Sequence, residues 1–95
     1  MYHELTIANP GVCLKIYYGA PTGEVGNAEI KELFRNNIGR VSITRIKKKV
    51  LKLMAERDVV RFDEHKVNVG VLYEVLGLDI EQLKRHNKEL KKLEV

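Results

Sequence analysis

Arg45, Lys48, Lys49 and Lys52 stand at i, i+3, i+4 and i+7 in the stretch NIGRVSITRIKKKVLKL, residues 37–53. On a helix that spacing brings four cations together along one face. Like charges so arranged repel by roughly 0.2–0.5 kcal/mol per pair, a cost that counterion release from a bound polyanion would offset. The chemistry these residues suit is phosphate binding, and Arg45 could add two parallel hydrogen bonds to guanine O6 and N7.

Other reactive types are placed less productively. His3, His65 and His86 are far apart in the chain, and none stands beside a cysteine or carboxylate at metal-ligand spacing. Asp63, Glu64 and His65 are consecutive and cannot wrap one ion between them, so they read as a hairpin tip rather than as a general acid–base pair. No serine or cysteine nucleophile motif occurs. GAPTGEVGN is glycine-rich, but Gly26 is followed by Asn27 and Ala28 where a phosphate loop needs Lys and Ser or Thr. The expectation is a binding protein and not an enzyme, with no metal and no cofactor.

The whole chain sets the same direction. Its 95 residues make one domain, and a net charge of +4 favours an anionic partner without demanding one. The charge is unevenly placed. Between Asn27 and Arg57 there are nine basic residues against three acidic, and elsewhere eight against ten. The single cysteine, Cys13, lies in an apolar run and reads as a buried structural thiol. No apolar run approaches the roughly 20 residues of a membrane span, and the N-terminus lacks the pattern of a signal peptide. A cytoplasmic location with no membrane partner is therefore expected.

The elements that would position the cations can be read from caps and periodicity. Asn9-Pro10-Gly11 ends an irregular lead-in from Met1 as a turn, and VCLKIYY after it carries the β-branched and aromatic residues of a strand. GAPTGEVGN is a loop. Asn27 is placed to cap a helix over 28–34 or 35 that turns Ile30, Leu33 and Phe34 inward. After a break at 36–40, Ser42 caps the next helix, which runs from Ile43 to about Asp58. In it Ile43, Ile46, Val50, Leu53 and Met54 share roughly 100° of arc, with Thr44, Arg45, Lys48, Lys49 and Lys52 opposite. Val59 to Phe62 and Val67 to Val69 suggest a small hairpin or wing. In a competing reading Asn68 caps a short helix, Val69 to Leu76, stopped by Gly77. Asp79 caps a last helix to about Leu93, with Ile80, Leu83, Leu90 and Leu93 on one stripe that Asn87 interrupts.

AEIKELF…GRVSITRIKKKVLKLMAERDV resembles the helix-turn-helix of winged-helix and excisionase-like DNA-binding proteins. Beyond that segment the chain is similar in style to small phage or mobile-element proteins of Gram-positive bacteria. The resemblance implies an α+β, mostly helical, winged-helix-like helix-turn-helix domain with an N-terminal strand and a C-terminal helix. Its helix-turn-helix core would span about 27–69 of a single domain 1–95, with a C-terminal helical segment over about 69–94. It further implies sequence-specific binding of double-stranded DNA, often as a dimer, in transcription regulation or excision. In such a motif Ser42, Thr44 and Arg45 reach base edges. Lys48, Lys49 and Lys52 track phosphates, Arg40 holds a flanking one, and Arg61, His65 and Lys66 lie near the DNA edge. The turn from Arg35 to Val41 is longer than in the tightest such motifs.

Three other readings compete. The cations could simply solvate the helix. They could dock on an acidic host protein, making the chain a phage-type adaptor without nucleic acid. An RNA-binding role has only IYY as its aromatic platform. The last helix is expected to pack on the domain's own core or to pair with its counterpart in a homodimer.

Overall fold

The computed structural model describes residues 7–20 and 23–93, and side chains as far as Glu89. The lead-in to Thr6, with His3, and the side chains of Leu90 and Leu93 lie outside the described residues. The architecture is five helices and one antiparallel pair of two-residue strands, a mostly helical α+β arrangement.

The first element corrects the reading of VCLKIYY as a strand. Pro10–Gly19 is a helix, α1. Asn9 is its N-cap, accepting from the Val12 amide at 3.0 Å, and Pro10 occupies the first helical position. The tripeptide that looked like a turn is thus a helix start, since Pro has no amide to leave unpaired there. Cys13 and Ile16, three apart, are buried. Helical spacing of the two residues that meet the core overrode the strand preference of their neighbours. No N-terminal strand exists in this segment.

Glu24–Val25 forms β1 within the segment read as a loop, and it pairs with β2, Val67–Asn68. Glu24 lies opposite Asn68 and Val25 opposite Val67. This pairing also corrects the expected hairpin. Val67 does not turn back on Val59–Phe62, which form no strand, but crosses to a partner more than forty positions earlier.

Helix α2, Asn27–Leu33, buries Ile30 and Leu33 as expected. Its cap is Gly26, and Asn27 is the first helical residue rather than the cap. The chain then reverses through Arg35 and Asn36, both in the left-handed region at φ 57° and 59°. The Asn36 amide closes the turn on the Lys31 carbonyl at 2.7 Å. Helix α3, Arg40–Glu56, starts earlier than the serine suggested: Gly39 is its N-cap and Ser42 sits inside its first turn. Ile43, Ile46, Val50 and Met54 are buried along one side.

The competing reading of 69–76 is the one adopted. Asn68 caps α4, Val69–Val75, accepting from the Val71 amide at 3.0 Å, and Gly77 follows with φ +75°. Asp79 accepts from the Glu81 amide at 2.8 Å and opens α5, Ile80–Leu93. Helix α3 packs on α4, β2 and α2, while α5 packs on α1. Helix α4 joins these two parts, because the buried Tyr73 hydroxyl donates to the Cys13 carbonyl of α1 at 2.6 Å. Burial pushes the Tyr73 hydroxyl well above its ordinary pKa, so it stays a donor. Tyr73→Phe is expected to cost about 1 kcal/mol. It should lower the urea midpoint at an unchanged slope.

Candidate nucleic-acid interface

The outer face of α3 carries most of the residues anticipated for it. Thr44, Arg45, Lys48, Lys49 and Lys52 are all exposed, while Ile43, Ile46, Val50 and Met54 behind them are buried. The core thereby fixes which side of the helix meets solvent, and the cations follow from the periodicity. Among the described residues Arg45, Lys48 and Lys52 form no ion pair. Val41, 67% exposed, lies in the same face near its N-terminal end.

Three members of the anticipated set are placed differently from the rest. Ser42 is half-buried in the first turn of the helix and is not its cap. The Thr44 hydroxyl donates to the Arg40 carbonyl at 3.0 Å, so its proton is committed to its own helix. Arg40, exposed, is the first helical residue. It edges a concavity of about 560 Å³ between the first turns of α2 and α3, with Lys31 also in the lining. No side chain caps α3 at Gly39, so its free amides add to the positive potential there.

The segment 59–66 is a loop held by its own polar groups. Arg61 donates through Nε to the Lys66 carbonyl at 3.2 Å and through its terminal nitrogen to the Glu64 carbonyl. Its guanidinium is folded back on the loop. Lys66 is half-buried, its stem beside Gly26. The His65 amide donates to Asp63 Oδ1 at 2.8 Å.

Two residues missed in the sequence organise this region. Lys47 donates to Asn27 Oδ1 at 3.0 Å and to the His65 carbonyl at 2.8 Å, tying α2, α3 and the loop together. Desolvation and the nearby Arg61 charge push its pKa down, with Asp63 opposing them. A signal for it existed: at 100° per residue Lys47 falls about 40° from Ile43, on the inner side of the helix. Glu24 is the other, only 2% exposed. Its carboxylate accepts from the Phe62 amide at 2.8 Å and the Asp63 amide at 3.1 Å. Nothing local distinguished it from an ordinary loop glutamate.

Elsewhere the chemistry is structural. Cys13 is fully buried, and burial raises its thiol pKa. Arg57 and Glu74 pair across α3 and α4 by two hydrogen bonds. Among the described residues no group of three or more His, Cys, Asp or Glu could hold a metal ion, and no helix is long and apolar enough to cross a membrane. No family model, curated protein or solved structure matches the chain.

Proposed function

We propose that this protein binds double-stranded DNA sequence-specifically through the outer face of α3, in transcription regulation or recombination support of a phage-like kind. The observation that carries the reading is the run of Arg45, Lys48, Lys49 and Lys52, exposed on one side of a helix whose other side is buried. Helix faces that only keep a protein in solution usually mix signs, and no carboxylate enters this one before Glu56. In this reading Lys48, Lys49 and Lys52 neutralise phosphates, Arg40 holds one at the first turn, and Arg45 pairs with a base edge.

The surroundings support a winged-helix-like arrangement. A strand between the first two helices pairs with one that follows α3, and Lys47 of α3 bonds to the 59–66 segment, which is compatible with that segment serving as a wing. The wing in this reading is a loop and not a hairpin, stapled by Arg61. In this reading the protein binds and does not catalyse, and it works in the cytoplasm.

Selection from a pool of random duplexes tests the specific part of this proposal. Enrichment of a defined sequence is the expected result, and Arg45→Ala should relax the preference at one position by about 1–3 kcal/mol. A pool that stays random while the chain binds it would leave only phosphate attraction. Capture of an acidic protein with no retention of duplex would favour the adaptor reading.

A further inference from the structure

Among the described residues four large apolar side chains are exposed, Tyr18, Val41, Val60 and Phe62, and only Val41 belongs to α3. A lone exposed valine is ordinary on a protein surface. This one is distinguished by where the helix puts it. At about 100° per residue, Arg45, Lys48 and Lys52 fall within roughly 40° of Val41, while Ile43, Ile46, Val50 and Met54 centre about 180° away. Val41 therefore heads the cationic row, in the first turn of α3 and on the side farthest from the core. Its polar neighbours there are spent or turned in. The Thr44 hydroxyl donates to the Arg40 carbonyl at 3.0 Å, and Ser42 is half-buried. Within that arc, this end of the row turns outward one guanidinium, that of Arg45, and one apolar side chain.

We propose that Val41 is a specificity-determining residue, which reads the 5-methyl group of a thymine beside the guanine paired by Arg45. This rests on the reading of α3 as the DNA-facing helix. Of the four bases, thymine alone presents an apolar group on the major-groove edge, and apolar side chains recognise it by contact. Valine has no donor or acceptor, so it completes no other base edge. Set against one, it would strip water from polar atoms without replacing their hydrogen bonds. The spacing also fits. Four residues of helix span about 6 Å, close to two base-pair rises of roughly 3.4 Å, which puts thymine and guanine one or two steps apart. Cytosine differs from 5-methylcytosine by the same group, so binding at that position answers to cytosine methylation. A protein partner fits less well, because an isolated valine heading a row of cations supplies little of the roughly 800 Å² that a stable interface buries on each side.

Selection from a random duplex pool by the parent chain supplies the probe. Thymines within about two base pairs of the enriched guanine are replaced one at a time by deoxyuridine, which lacks only the 5-methyl group. Affinity is read by anisotropy of the labelled duplex. The expected result is a loss of about fourfold at one position, the worth of one buried methyl group. With cytosine at that position, methylation of its C5 should recover about fourfold. Val41→Ala keeps the helix, since alanine is the better helix former, and its shorter side chain should reduce the thymine–deoxyuridine difference to less than about twofold. The inference is overturned, and α3 is left as the DNA-facing helix, by any of three results: a pool bound without enrichment or an enriched site with no such thymine; equal affinity of the parent for thymine and deoxyuridine throughout; or a methyl response kept by Val41→Ala. No duplex bound by any folded chain overturns both.

Discussion

Replacing Lys48 and Lys52 together by alanine is expected to halve the salt dependence of duplex binding while leaving the fold intact. The two lysines are exposed, and substitutions at such sites change stability by about 0.5 kcal/mol at most. Removing them even relieves repulsion within the cationic row. Their effect on binding is of another order. Each neutralised phosphate contributes roughly 0.9 to the slope of log affinity against log salt. With Arg40, Lys48, Lys49 and Lys52 each on a phosphate, the slope is about −3.6, and the double variant should fall to about −1.8. Fluorescence anisotropy over a salt series, with circular dichroism on both chains, checks this. An unchanged slope in the double variant would move the contact surface away from α3.

The second large effect lies behind the same face. Ile46 is fully buried in the core, between the cationic surface and the elements that seat α3. Ile46→Ala removes three carbons and leaves a cavity that the packed surroundings fill only in part. The expected cost is about 2–5 kcal/mol, a large share of the roughly 5–15 kcal/mol a domain of this kind has. At about 4–8 °C per kcal/mol the melting temperature should fall by roughly 8–40 °C. Saturating duplex should restore part of the loss by mass action, since only the folded chain presents the face. A melting temperature within a few degrees of the parent would mean that Ile46 is not part of a tightly packed core.

These three positions also show what could be read from the chain in advance. The inner and outer sides of α3 were legible because a 17-residue helix gives the period many repeats, with Lys47 on the apolar side and Val41 on the cationic side as its exceptions. The caps at Asn68 and Asp79 were legible because each precedes its helix by one residue and bonds to its first turn. Asn27 and Ser42 offered the same signal and misled by one position and three, since Gly26 and Gly39 take the cap role without a side chain.

The remainder was hidden for a different reason. VCLKIYY contains residues suited to a strand, and only the burial of Cys13 and Ile16, with Asn9 and Pro10 at its start, made it a helix. The two strands are each two residues long and far apart in sequence, too short for alternation to show. The loop at 59–66 depends on Glu24 and Lys47, residues whose partners come from distant positions. Its long-range hydrogen bonds, and with them the outward set of Phe62, have no local signature.

The central claim, that α3 faces DNA, meets its most direct test in one titration of the folded parent chain with random duplex. Affinity measured at about 50 and about 200 mM salt should differ on the order of a hundredfold, the value for four phosphates at roughly 0.9 each. Absence of duplex binding at the lower salt, in a sample with intact helical circular dichroism, would contradict it.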